Sequence, residues 1–145
     1  MSSGVGPGLP AGRCTGILLA FLLLWSLLVF LGPTRLGFLD NEGRYAEVAR
    51  EMLLTGDWIT PHLNGERFLN KPPWTFWLTA LWFRLVAMDE SARAIPGAAA
   101  LLTTLVVYGL GRRLAGQEAG LWSGVVYATA TLTLQEARTL RPDGW

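Results

Sequence analysis

Carboxylates, arginines and a lysine crowd the stretch "DNEGRYAEVAREMLLTGDWITPHLNGERFLNKPPW", Asp40 to Trp74, directly after the apolar run Ile17 to Leu31. Carboxylates held at a membrane surface can accept a proton from an acceptor hydroxyl, and a nearby lysine such as Lys71 stabilises a phosphate leaving group. A lipid-linked phosphosugar suits such a place, with its tail in the bilayer, its phosphate at headgroup level and its sugar in water. Phosphate leaves readily, so the transfer needs a base for the acceptor more than an acid for the donor, one task fewer than the two-carboxylate glycosidases perform. Each of these residues also has a purely structural use. Asp40 or Asn41 would cap the following helix, Glu42 would favour its positive end, and Lys71 would be an exposed interfacial charge. The lone His62 reads as a loop histidine.

The elements that must position these groups belong to a membrane protein. Of the 145 residues, 51% are hydrophobic and 16% charged, and the mean hydropathy is +0.34, too apolar for an ordinary soluble domain of this size. The net charge of +1 comes from scattered basic residues and argues against a nucleic-acid partner. A single cysteine, Cys14, excludes an internal disulfide framework and a cysteine-based metal cluster.

Three apolar stretches are expected to cross the bilayer. Residues 15–32 contain "ILLAFLLLWSLLVFL" without an ionisable group. The competing reading is a cleaved signal peptide, but "GPTRLG" lacks a clear small-residue cleavage pattern. Residues 94–111, "AIPGAAALLTTLVVYGLG", carry Pro96 near the first turn and end at Arg112 and Arg113. The third stretch, 119–134, holds Ser123 and three threonines and is short, with a buried or interfacial helix as its alternative. Arg13 before the first stretch, and Arg112 and Arg113 in the 112–118 connection, place residues 1–14 and 112–118 in the cytoplasm by the positive-inside rule. The 33–93 loop and the 135–145 tail would then face the opposite compartment. Two acidic regions far apart in sequence can therefore share one site.

The 33–93 loop has its own order. Tyr45, Val48, Ala49, Met52 and Leu53 recur at helical spacing while Arg44, Glu47, Arg50 and Glu51 take the other side, and Thr55-Gly56 ends the helix. Asn64-Gly65 is a turn signal. Pro73 starts a second helix, in which Trp74, Phe76, Trp77, Trp82 and Phe83 offer an aromatic surface suited to the headgroup boundary. Both helices are expected to lie along the membrane. A further crossing in the aromatic stretch is the alternative, but Lys71 and Arg84 bracket too few residues for one.

These residues also carry a resemblance. The series "NEGRYAEVAREML", "GDWITPHLNG" and "RFLNKPPW", followed by "ARTLRPDGW" at Ala137 to Trp145, is similar to the first outside loop and second acidic motif of the bacterial lipid A aminoarabinose transferases and their relatives in the protein mannosyltransferase group. Those are polytopic GT-C glycosyltransferases that use polyprenyl-phosphate-linked sugars. The resemblance covers most of the chain from Asp40 onward, and its specificity lies in the order of the pieces.

The resemblance implies roles residue by residue. The family pattern Asp-Glu-x-Arg-Tyr places its catalytic aspartate where this chain has Asn41, so Asp40, displaced by one residue, or Glu42 would be the base; Arg44 and Tyr45 fit the pattern. Lys71 matches the lysine that contacts the carrier phosphate, Asp143 the second-motif aspartate, and Arg141 a phosphate or carboxylate partner. Arg44 joins Lys71 and Arg141 as a donor-phosphate contact. No cofactor is called for, and Asn70 stands where aminoarabinose transferases often have a metal-linked glutamate, which argues against a divalent metal because an amide is a poorer ligand than a carboxylate. The expectation is therefore an all-α polytopic transmembrane protein with interfacial amphipathic helices in its first exocytoplasmic loop, the N-terminal part of a longer GT-C enzyme truncated after Asp143. It would be an inverting transferase of the bacterial inner membrane, passing a sugar from a polyprenyl phosphate to a lipid or protein acceptor at the periplasmic or exterior face. The alternative is a non-catalytic membrane fragment or subunit whose outside loop binds lipid or a partner.

Overall fold

The computed structural model describes residues 11–30, 38 and 41–141; Asp40 and Asp143 lie outside the described residues. Helices dominate: α1 (Ala11–Phe30), α2 (Glu42–Thr55), α3 (Pro73–Leu85), α4 (Ala94–Ala115), α5 (Gln117–Thr129) and α6 (Thr131–Glu136). A short antiparallel hairpin, β1 (His62–Leu63) and β2 (Glu66–Arg67), lies between α2 and α3, and a 3-10 turn at Glu90–Arg93 leads into α4.

Small residues set the closest helix pair. A single glycine, Gly116 with φ +90°, separates α4 from α5, so the two fold back on each other. At Gly120 a Cβ would stand 2.8 Å from the Arg112 nitrogen and the Tyr108 carbonyl oxygen, and at Gly111 one would stand 3.0 Å from the Gly120 Cα. Glycine is required there because the backbones themselves touch, the usual way for helices to associate where lipid removes the hydrophobic incentive. Hydroxyl groups along the pair bond their own helix: Thr104 donates to the Ala100 carbonyl at 2.8 Å and Ser123 to that of Ala119 at 2.6 Å.

Helix α1 lies along this pair through one stripe, Leu18, Leu22, Trp25 and Val29, spaced three or four residues apart and all buried. Leu18 and Leu22 meet Leu121, while Trp25 and Val29 meet Ala128. Both helices thus ascend together, and α1 is parallel to α5 and antiparallel to α4. The Trp25 indole N–H donates to the Ala128 carbonyl at 2.8 Å, satisfying one of the orphan carbonyls that every helix leaves in its last turn. The other sides of α1 and α4 carry exposed leucines, among them Leu23, Leu24, Leu102 and Leu110.

Among the described residues, one helical stretch, Glu90–Ala115, is long and apolar enough to cross a bilayer. The helix expected over 119–134 is interrupted at Ala130, whose ψ of 133° is extended. Thr129, Thr131 and Thr133 surround the break, and β-branched residues are poor helix formers. The Thr129 hydroxyl, moreover, bonds back to the Val125 carbonyl at 2.8 Å.

The loop between α1 and α4 builds a second core. As its periodicity predicts, α2 buries Val48, Ala49 and Met52, and Gly56 ends it in the left-handed region with its N–H on the Met52 carbonyl. Asn64 and Gly65, at φ 55° and 79°, form the hairpin turn that positive φ at both central positions demands. Pro73 occupies the first turn of α3. The aromatic surface expected on α3 is divided: Phe76 and Phe83 point into the core, whereas Trp74 and Trp77 remain outside. Burial of Phe76 follows from its partners, Val48, Met52 and Phe68, which form one cluster with it.

Candidate active site

Among the described residues, the candidates Glu42, Arg44, Lys71 and Arg141 belong to segments at one end of the molecule. Because α1 and α5 run together and α4 runs against them, the end of α1, the start of α4 and the end of α5 lie at the same end. The α2–α3 loop joins two of these, and residues 137–141 leave from the third.

Glu42 is the anchor. It occupies the first turn of α2, and its side chain is 2% exposed. One carboxylate oxygen accepts from the Arg93 Nη2 at 2.6 Å, and the other accepts from both the Arg93 Nε at 3.1 Å and the backbone N–H of Leu140 at 2.7 Å. The fork of a guanidinium matches a carboxylate in this two-point way. Three segments separated by 51 and 98 positions in sequence, α2, the entry to α4 and the tail after α6, meet on one side chain. Around it Leu140 packs with Ala46, Ala49, Ala80, Phe83 and Ala92, and water is kept out.

Arg44 and Lys71 lie beyond this anchor. Arg44 is exposed, places its guanidinium 5.9 Å from the centre of the Phe68 ring, and donates to Asn41 Oδ1 at 3.4 Å. Lys71 is half-buried in the link between Phe68 and Phe76. Both of those rings stand against Tyr45, at 6.4 and 6.3 Å, so the link is pinned over the first half of α2. Arg141 is half-buried at the end of the tail, where its N–H bonds the Thr139 carbonyl at 2.9 Å. Asn41 is the residue before α2, and its side chain makes no capping bond to the helix. His62 lies in β1 opposite Arg67. Among the described residues, no group of three histidine, cysteine or carboxylate side chains is placed to hold a metal.

Further polar contacts hold the loop that carries Lys71. The Glu51 carboxylate accepts the N–H groups of Asn64 and Gly65, and so clamps the hairpin turn onto α2. Asp57 accepts from the N–H groups of Thr60 and Ile59, both at 3.0 Å; these bonds, with the nearby His62, hold its carboxyl below the usual carboxylate range. Glu47 is likewise lowered by its hydrogen bonds to Arg50. Trp77 donates its indole N–H to the Trp58 carbonyl, and Trp82 donates to Ser91 Oγ at 2.9 Å.

This arrangement has known counterparts. Residues 70–145, more than half of the chain, match the dolichyl-phosphate-mannose-protein mannosyltransferase family. The chain belongs to this family. Among curated relatives, the undecaprenyl phosphate-alpha-4-amino-4-deoxy-L-arabinose arabinosyl transferase of Pseudomonas savastanoi pv. phaseolicola is 40% identical over 108 residues, which cover 72% of this chain and 19% of that protein. Among solved structures, ArnT from Cupriavidus metallidurans in the apo state superimposes with a TM-score of 0.74 at 28% identity, over 89% of this chain and 24% of that one. The same ArnT bound to undecaprenyl phosphate gives 0.72 at 27% identity, over 90% and 24%. The chain therefore spans about a quarter or less of the length of these relatives. Its fold is the all-α polytopic membrane fold of the GT-C glycosyltransferases, as the sequence resemblance implies.

Sequence reasoning did not single out Arg93. One signal was available: an arginine bordering a long apolar helix needs a partner, and Glu42 is an obvious anion. The part played by the Leu140 amide has no sequence signal, because any residue except proline supplies the same N–H.

Proposed function

We propose that this chain forms the donor-binding part of an inverting glycosyltransferase that moves a sugar from a polyprenyl phosphate to a lipid or protein acceptor at the outer face of the bacterial inner membrane. The observation that carries this reading is the bond from the Leu140 amide to Glu42, which ties the tail leading to Asp143 onto the start of α2. Covalent continuity does the rest: Asp40 is two residues before Glu42, and Asp143 is three after Leu140, a reach of about 11 Å at full extension. Lys71, pinned above α2 by Phe68 and Phe76, would meet the carrier phosphate. The likeness to a protein solved with undecaprenyl phosphate supports that choice of carrier.

In the reaction proposed, a carboxylate takes the proton from the acceptor hydroxyl, whose oxygen attacks the anomeric carbon from the face opposite the phosphate. The bond from that carbon to the phosphate oxygen breaks, and the phosphate departs with the electron pair. Lys71, Arg44 and Arg141 offset its growing charge. Both oxygens of Glu42 already accept hydrogen bonds, from Arg93 and from the Leu140 N–H, which occupy the directions a proton would need. We therefore assign the base to Asp40, with Asp143 as the second acidic group of the reaction. The trans-bilayer arrangement that goes with this reading has residues 1–14 and 112–118 inside, and the α2–α3 loop and 135–145 outside. Helices α2 and α3 would rest at the headgroup level, with Trp74 and Trp77 toward lipid.

The test is turnover of the protein, in its natural reading frame, with undecaprenyl-phosphate-linked sugars. Asp40→Asn and Lys71→Ala are expected to lower kcat/KM by about a hundredfold or more. Turnover left unchanged by Asp40→Asn, Asp143→Asn and Lys71→Ala alike would remove the enzyme assignment.

A further inference from the structure

We infer that Glu42 and Arg93 are positioning residues, a buried ion pair whose task is to fix the tail that carries Arg141 and Asp143 against the start of α2. The inference rests on the glycosyltransferase reading for its catalytic consequence, but on the structure for its mechanics.

Three observations lead to it. The pair is deeply placed, with Glu42 2% and Arg93 12% exposed at the side chain, and taking two such charges out of water is costly. An apolar pair of similar volume would hold the same helices together at least as well, so a buried ion pair here points to directional specificity more than to cohesion. The directionality is visible in the third hydrogen bond. The oxygen that accepts the Arg93 Nε also accepts the Leu140 N–H at 2.7 Å, so the guanidinium orients the carboxylate and the carboxylate orients a peptide plane. Leu140 is also firmly anchored within the Ala137–Trp145 motif. Its side chain and that of Ala137 are each 2% exposed, and Arg141 follows immediately. Rotation of that peptide would shift Arg141, the residue that follows it in the chain.

Glu42 and Arg93 therefore act through Leu140. A misplacement of about 1 Å in a group near the chemistry costs on the order of a hundredfold in rate. Lys71 lies in the link between Phe68 and Phe76, whose rings both stand against Tyr45. Loss of the pair is thus expected to lower kcat, with a smaller rise in donor KM because Arg141 moves with the tail.

The experiment uses the protein in membrane nanodiscs, with Cys14→Ser as background. Spin labels at Leu54→Cys on α2 and Arg138→Cys on the tail, both exposed positions, report the distance between the two segments by pulsed electron resonance. The parent is expected to give one narrow distribution, broadened by Arg93→Ala and by the milder Glu42→Gln, which keeps the shape of the side chain. Turnover with an undecaprenyl-phosphate-linked sugar is expected to show kcat reduced about tenfold to a hundredfold, with donor KM raised by a smaller factor. The Glu42→Gln/Arg93→Ala double variant should be little worse than Arg93→Ala, since the two residues act as one unit. Distance distributions unchanged in both single variants would overturn the inference whatever the activity. Broadened distributions with unchanged kcat would also overturn it, reducing the pair to a structural tie. A parent that turns over no lipid-linked sugar would defeat the glycosyltransferase reading instead, while the distance measurement would still decide the mechanics.

Discussion

The α2–α3 loop and the α1–α4–α5 bundle hold together by opposite means. In the loop, charged side chains reach across to backbone groups: Glu51 to the hairpin turn, Asp57 to Thr60 and Ile59, and Glu42 to Leu140. In the bundle, hydroxyls bond their own helix, and the helices meet through glycines and one apolar stripe. The contrast follows from solvent. A helix surrounded by lipid gains little from burying leucine against leucine, so close backbone contact must provide the attraction. A loop at the water boundary has irregular backbone whose N–H groups need partners, and carboxylates supply them. Directional contacts of that second kind are also the ones that can aim catalytic groups.

The comparison is broken most severely by placing a methyl group in the bundle. Gly120→Ala forces its Cβ to within 2.8 Å of two backbone atoms, which only separation of α4 and α5 can relieve. The expected cost is about 1–3 kcal/mol, read as a lower melting temperature in detergent, with the loop's own contacts intact. Glu51→Ala probes the other region. It removes two charge-assisted bonds at a half-exposed site and should cost about 1 kcal/mol, with amide exchange accelerated at Asn64 and Gly65 and unchanged along α4. A methyl at Gly120 without effect, or a Glu51 change felt mainly in the bundle, would erase the distinction.

Acid gives the smallest effect and separates the regions without mutation. Asp57 is held below its ordinary pKa, first by the Thr60 N–H and then by that of Ile59, and Glu47 is held down by Arg50. A carboxyl depressed in the folded state contributes stability that is complete above its unfolded pKa, about 3.9 for Asp, and is lost as pH falls through the folded value. Protection of the Ile59 and Thr60 amides is therefore expected to fall below about pH 4, while the α4–α5 amides stay protected. Asp57→Asn should flatten the dependence.

How much of this was legible in the sequence depends on the range of the interaction. Local chemistry was readable: the buried stripe of α2, the stop at Gly56, the turn at Asn64-Gly65 and the start at Pro73 each follow from a few adjacent residues. The break at Ala130 was less so, because the apolar character of 119–134 concealed its run of threonines. Least visible was the meeting of Glu42, Arg93 and Leu140. Glu42 reads from sequence as a base or a dipole partner, and only the fold supplies the arginine and the amide that occupy its oxygens. The division of the α3 aromatics, Phe76 inward and Trp77 outward, likewise needed the neighbours that bury one and not the other.

The central claim is that the α2–α3 loop and the tail after α6 face one compartment, with the α4–α5 turn facing the other. Labelling by a membrane-impermeant maleimide in intact spheroplasts tests it most directly, using single cysteines at Glu66, Arg138 and Arg113, all exposed, in a Cys14→Ser background. Glu66→Cys and Arg138→Cys are predicted to react from outside, and Arg113→Cys only after the membrane is opened. Reaction of Arg138→Cys together with Arg113→Cys, and apart from Glu66→Cys, would contradict the account.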